Sequence, residues 1–249
     1  MNPTPHLKTA SASTDCIVTF YDREKIPVRI LIVMATEAEW GDELKAMGIK
    51  PAIIGVGPIQ AAINTTALLK NLEREGNLPD LVINMGSAGS NRLDYKTIVQ
   101  ATSIRYRDID ASAFGFTKGT TPFSDLPASL PIQARIPGLQ ETTVSTGGNV
   151  ISGLAYDGLG AQTAEMEAYA VYSASLAFGI PMLKIMGISD GKVPLTGMRE
   201  EWARYLADID QGFARVIVNL KQGLENGQIY RSDLVTLPAS LKDRAVAPI

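Results

Sequence analysis

The chain has 249 residues, 45% of them hydrophobic and 20% charged, with a formal net charge of −3 at pH 7. That balance suits a soluble α/β chain of one or two domains and offers no basic surface to a nucleic-acid backbone. A single cysteine, Cys16, and a single histidine, His6, exclude an intrachain disulfide and a Cys/His zinc site.

His6 sits in a polar tail outside any periodic pattern, so imidazole-based catalysis is disfavoured and acid–base work falls to carboxylates, lysines or tyrosines. Residues 1–26 read as an extension with no apolar segment of a secretory leader, although IVTFY (17–21) has the composition of a short edge strand. No apolar run approaches the roughly 18 residues of a membrane span, so the expectation is a cytoplasmic protein without a membrane partner.

The ordered fold is expected over residues 27–224. VRILIVM (28–34) and PAIIGVG (51–57) read as strands, and Pro58 opens a helix through PIQAAINTTALLKNLE. DLVINMGSAGS (80–90) is a strand running into a Gly/Ser turn, KTIVQATSIRY (96–106) the next, and TTVSTGGNVIS (142–152) another broken by glycines. A helix from about Thr163 to Phe178 stops at Gly179 and Pro181. MLKIMGIS (182–189) is a strand ending at Asp190, an amphipathic helix spans 201–224, and residues 225–249 read as a surface tail. Strands alternating with helices predict a three-layer α/β/α domain with a mixed, largely parallel central sheet. Glu39, Ser87 and Asp190 each follow a strand, at the sheet edge where open α/β folds bind ligands.

GVGPIQ (55–60) and GSAGS (86–90) do not complete a dinucleotide fingerprint, so no nicotinamide cofactor is expected. Small residues such as Ala88 and Gly89 still permit close approach to a sugar, and Ser87 adds a hydroxyl. QTAEMEAYA (162–170) places two glutamates before an apolar helix, where both complement the helix dipole.

Taken in order, ATEAEW (35–40), GVGPIQAA (55–62), NMGSAGS (84–90), RDIDASAFGF (107–116), AEMEAYA (164–170) and GISDG (187–191) resemble the nucleoside phosphorylase/nucleosidase superfamily, and within it the 5′-methylthioadenosine/S-adenosylhomocysteine nucleosidases. The resemblance covers most of residues 28–222 and implies a nucleoside phosphorylase-like fold, no cofactor and no metal. It assigns Glu167 to the ribose hydroxyls, Met166 to the sugar face, and Glu165 to a more peripheral place. It makes Asp190 the general acid that protonates adenine N7, with Ser189 orienting the carboxyl group, and Glu39 the residue that positions and deprotonates water. Asp190 favours adenine over 6-oxopurines. Ala111 and Phe114 are expected to line the 5′-alkylthio site of the partner in a homodimer.

Three positions, in two places, depart from the family pattern. TGGNVI stands where relatives have S-G-D-x-F, which puts Gly148 at the aspartate and Val150 at the aromatic position, with backbone groups of Ile151 left to read the adenine edge and Tyr156 as a substitute ring. Met186 replaces a common arginine, which disfavours an anionic cosubstrate. The implied reaction is hydrolysis of methylthioadenosine and S-adenosylhomocysteine. Phosphorolysis, hydrolysis of another nucleoside such as futalosine, and non-catalytic nucleoside binding are the alternatives.

Overall fold

Alternate residues of the central strands divide between two apolar layers. In the strand Pro27–Met34, Leu31 and Val33 face one layer, while Ile30, Ile32 and Met34 face the other. Met182, Met186 and Ile188 of a second central strand join the first layer, and Leu183 and Ile185 the second. This two-residue period buries both faces of the sheet, as expected where helices cover each side.

A computed structural model describes residues 14–242; His6 lies outside them. The elements in chain order are β1 (Ile17–Tyr21), β2 (Pro27–Met34), α1 (Asp42–Ala46), β3 (Ala52–Ile53), α2 (Pro58–Arg74), β4 (Leu81–Gly89), β5 (Ile98–Tyr106), β6 (Ser129–Pro131), β7 (Gln140–Thr146), β8 (Thr163–Glu165), α3 (Ala168–Ala177), β9 (Met182–Asp190), α4 (Met198–Arg204), α5 (Leu206–Asn226), α6 (Arg231–Val235) and α7 (Ala239–Lys242). Helices α2 and α3 pack on one face of the sheet, and α1 and α5 on the other, which gives the three-layer α/β/α arrangement. Five pairings are parallel (β2 with β3 and β4, β4 with β9, β5 with β7, β7 with β8), and four are antiparallel.

The pairings close on themselves. β4 pairs β9, β9 pairs β5, β5 pairs β7, β7 pairs β8, and β8 returns to β4 through the single pair Gly89–Ala164. Five strands therefore form a small ring, from which β2 and β1 extend as an open sheet.

Several boundaries differ from the sequence reading. Within the segment read as an N-terminal extension, IVTFY (17–21) does form the expected edge strand, β1, which pairs antiparallel with β2 and buries Phe20. The segment read as a surface tail carries α6 and α7, whose Leu234 and Leu241 are buried. The helix expected from Thr163 begins at Ala168, because Thr163–Glu165 is captured as β8 between β4 and β7. Almost every residue of α3 is buried, so its sequence carries no amphipathic stripe to mark a start.

The helix expected over 201–224 is two helices that meet at Tyr205. Tyr205 stacks on Tyr95 with centroids 4.7 Å apart, which turns α4 toward the ring while α5 runs along the sheet. Ile209, Phe213, Val216, Ile217, Leu220 and Leu224 hold α5 down at helical spacing, each worth about 1.5–3 kcal/mol when fully buried.

Candidate active site

A cavity of about 520 Å³ opens at the end of the strand ring. β4 contributes Ser87, Ala88 and Gly89 to its wall, and β9 contributes Asp190. The β8–α3 junction adds Glu165, Met166 and Glu167, and the loop after β7 adds Val150 and Ile151. Glu39 enters from the turn after β2, and α4 closes the opposite side with Trp202.

Glu39 ends a single 3-10 turn, Glu37–Glu39, started by the Thr36 hydroxyl accepting from the Ala38 N–H at 3.4 Å. The side chain is buried, and Ser87 donates to its Oε1 twice, through the backbone N–H at 2.7 Å and the hydroxyl at 2.6 Å. Trp202 Nε1 donates to the Ser87 hydroxyl oxygen at 2.8 Å, which leaves that hydroxyl's proton for Glu39. Glu39 Oε2 has no hydrogen-bond partner. Burial pushes the Glu39 carboxyl above its ordinary range; the two Ser87 bonds and Lys184 oppose this, and Glu165 adds to it. The result is a carboxylate held by one oxygen, with the other free to accept a proton.

The two glutamates around Met166 do different work. Glu165 closes β8, and its Oε2 accepts from the N–H groups of Glu167 at 3.0 Å and Ala168 at 2.8 Å, at the mouth of α3. Its Oε1 accepts from the Thr146 hydroxyl, and Lys184 Nζ lies 3.6 Å from Oε2, with both side chains 2% exposed. Glu165 thus takes the helix-start place expected of it, its carboxyl group facing the first N–H groups of α3. It borders the cavity, but its oxygens are spent on the helix start and the buried lysine.

Glu167 is the cap residue of α3, yet its side chain turns away from that helix. Its Oε1 accepts from the Gly57 N–H at 2.8 Å, at the start of α2. Gly57 can present that N–H because φ is 87° there, a conformation that favours glycine. Burial and the neighbouring Glu165 carboxylate raise the Glu167 pKa to about 7, against the Gly57 N–H and Lys184.

Asp190 ends β9, and Ser189 donates to its Oδ1 at 2.5 Å. Burial raises the Asp190 pKa; Ser189 pulls it down, and the Glu201 and Glu39 carboxylates push it further up. Glu201 is itself buried on α4, where it accepts from the Tyr95 hydroxyl and from the Gly191 N–H at 3.2 Å. Glu39, Glu167 and Asp190 therefore face one cavity, each in a different environment.

Val150 is half exposed at the cavity rim and brings no ring. The loop that carries it is fixed from β5 instead. Arg107 Nη1 donates to the carbonyls of Ser145 at 2.6 Å and Glu165 at 3.0 Å, Nη2 reaches those of Gly147 and Asn149, and Asp108 accepts from the Gly148 N–H at 2.5 Å. Tyr156, 4% exposed, is the aromatic side chain beside Asp190. Ala111 is buried and Phe114 is 85% exposed, and neither borders this chain's own cavity. Phe116 makes an edge contact with Phe123 at 5.6 Å.

Sequence reasoning missed Trp202, Lys184, Gly57 and the part played by Arg107. Arg107 and Gly57 had a signal, each lying within a quoted motif. Among the described residues, no group of three or more His, Cys, Asp or Glu is placed to hold a metal ion, and no helix is long and apolar enough to cross a membrane.

The model of the phosphorylase superfamily matches residues 47–216, more than half of the chain. The chain belongs to the phosphorylase superfamily. Among its relatives is the 5′-methylthioadenosine/S-adenosylhomocysteine nucleosidase of Haemophilus influenzae, 35% identical over 157 residues, an alignment that covers 55% of this chain and 66% of that one. The protein of the same name from Actinobacillus succinogenes is 34% identical over 167 residues, covering 59% of this chain and 70% of its own. This superfamily member thus spans about two thirds of the length of the relatives it matches.

Solved structures agree on the fold. The Helicobacter pylori nucleosidase of the same name, crystallised with butyl-thio-DADMe-Immucillin-A, superposes with a TM-score of 0.66 at 19% identity, over 78% of this chain and 97% of that one. Futalosine hydrolase from the same organism gives the same TM-score, identity and coverage, so the backbone alone does not separate the two substrates.

Proposed function

We propose that the protein is an N-glycosyl hydrolase that cleaves 5′-methylthioadenosine and S-adenosylhomocysteine to adenine and the 5-thioribose product. The observation that carries this reading is the convergence of Asp190, Glu167 and Glu39 on one cavity, with Glu39 Oε2 unpartnered. The relatives that bear this activity in their names support the choice of substrate.

Asp190, whose pKa burial raises, gives its proton to adenine N7 as the C1′–N9 electron pair moves onto the purine. Glu167 holds the ribose hydroxyls, and its negative charge stabilises the oxocarbenium-like centre more than the neutral ground state. Water adds to C1′ and loses its proton to Glu39. A phosphate ion in that position would face the Glu39 carboxylate, which favours water as the nucleophile; Met186 is buried in the core and does not border the cavity.

The active unit in this reading is a homodimer in a cytoplasmic methionine-salvage role. Apolar side chains left in water support the dimer: Phe114 and Phe123 on the segment after β5, and Val56, Ile59 and Ile63 at the start of α2. Phe114 with Ala111 would then close the partner's 5′-alkylthio site. Adenine release with and without phosphate tests the reaction. Hydrolysis predicts equal rates and a free reducing thioribose. Accumulation of a ribose-1-phosphate sugar would establish phosphorolysis, release of base from futalosine alone would move the substrate, and binding without release would leave a nucleoside-binding protein.

A further inference from the structure

Tyr156 carries a polar group that the steps above do not use. The residue lines the cavity and is 4% exposed, and its hydroxyl has no hydrogen-bond partner. A buried hydroxyl left unpaired is costly, so its place needs a reason. The surroundings supply one. The hydroxyl lies over two glycines, Gly89 of β4 and Gly191 after β9. A methyl group at Gly89 would overlap the Tyr156 hydroxyl and come within 2.8 Å of Asp190 Oδ2, and one at Gly191 would come within 2.7 Å of the same hydroxyl. The missing side chains thus make room for the phenol beside the one Asp190 oxygen that Ser189 does not hold.

We propose that Tyr156 is a positioning residue for the proton donor: its hydroxyl donates to Asp190 Oδ2 as the carboxyl group loses its proton to the leaving purine. This rests on the nucleosidase reading and extends it. Before transfer, Asp190 carries its proton and needs one acceptor, the purine nitrogen. After transfer, the proton is on the purine and the new carboxylate accepts from Ser189 at Oδ1 and from Tyr156 at Oδ2. The second bond exists only with the charged form, so it stabilises the transition state more than the ground state.

The phenol is suited to the task because burial, with the Asp190 charge next in effect, raises its pKa and keeps it a donor throughout the working range. The charged and titratable groups around the pair are known. Glu201 and Glu39 face Asp190; Arg107, Asp190 and Glu201 face Tyr156; and Tyr95 stands beside Glu201 and feels the Asp190 charge. Arg107 is the cation that acts on Tyr156, with its guanidinium bonded to the loop carbonyls; Arg199 lines the same cavity, and Lys192 Nζ stands 4.8 Å from the Tyr95 ring centroid.

The test is Tyr156→Phe, which keeps the ring and its packing, alongside Tyr156→Ala, which removes both. Adenine release from methylthioadenosine is followed across pH for the wild type and both variants. The hydroxyl stabilises the ionised carboxyl, so its removal raises the Asp190 pKa. In Tyr156→Phe the basic limb of the kcat/KM profile moves up by about one pH unit and kcat falls about tenfold, the size expected of a hydrogen bond to a charged group, with KM little changed. Tyr156→Ala adds a rise in KM from the lost ring. An unmoved limb with unchanged kcat in Tyr156→Phe overturns the proposal. A rise in KM with an unmoved limb also overturns it, since the hydroxyl then serves the bound purine. Absence of adenine release from the wild type would instead overturn the nucleosidase reading.

Discussion

Replacing Glu167 by glutamine should make the protein more stable while making it a poorer catalyst, and the gain should depend on pH. Glu167 ionises at about 7 in the folded chain against an ordinary value of 4.5, chiefly because it is buried and next because Glu165 stands beside it. Between those two values the folded state keeps a proton that the unfolded chain has released. Stability contributed by this group therefore falls as pH rises from about 4.5 to 7 and is lowest above 7. At about 1.4 kcal/mol for each power of ten, the charged form costs the folded state about 3 kcal/mol at pH 8 and almost nothing at pH 4.5. Glutamine keeps the Oε1 that accepts from the Gly57 N–H and removes the charge. Glu167→Gln should accordingly gain up to about 3 kcal/mol at pH 8 and little near pH 4.5. At about 2–4 °C per kcal/mol for a chain of this size, Tm at pH 8 rises by on the order of 10 °C. Urea unfolding of the wild type and Glu167→Gln at both pH values measures the difference, and adenine release measures the loss in kcat. An equal stability change at both pH values would refute the reasoning, because the effect would then come from packing and not from the charge.

The other carboxylates should fail in their own ways. Asp190→Asn removes the proton donor and should lower kcat by about 10²–10⁴-fold, read as adenine release at constant substrate. Glu39→Gln should lower turnover through loss of the base, and added phosphate should not restore it; restoration would count against water as the nucleophile. Phe114→Ala should raise KM for methylthioadenosine and leave adenosine, which lacks the alkylthio group, less affected. Full activity of a monomer at low concentration, followed by sedimentation, would remove the cross-subunit role of Phe114.

The sheet and most of its strands were legible because buried strands such as Pro27–Met34 and Met182–Asp190 are predominantly apolar runs, broken within by Arg29 and Lys184, that begin at or just after a proline. The resemblance gave each carboxylate a separate role to propose, but the hydrogen bonds that hold Glu165 and Glu167 in place could not be read from the sequence. In QTAEMEAYA both glutamates look like first-turn residues, and which one caps the helix depends on β8, a three-residue strand that exists only because β4 and β7 lie on either side of it. Lys184 reads as one polar residue in an apolar strand, and its meaning appears only when β8 brings Glu165 to it. Trp202 was hidden for a similar reason. The periodicity of residues 201–224 is that of one helix, and the turn at Tyr205 that aims the indole at Ser87 depends on a stack with Tyr95, over a hundred positions away.

The ring of five strands also decides which parts of the site can vary. Asp190 rides on β9, Ser87, which holds Glu39, on β4 and Glu165 on β8, so the separations among these groups are set by the ring's circumference. A sheet closed on itself has few ways to shift one member without shifting its neighbours, whereas the loop after β7 hangs free of the pairing. That loop can exchange an aspartate and an aromatic ring for Gly148 and Val150, and take its support from Arg107 instead, without moving any of the carboxylates. In such a frame the reaction is fixed by the strands, and the fit to the purine can be rewritten loop by loop.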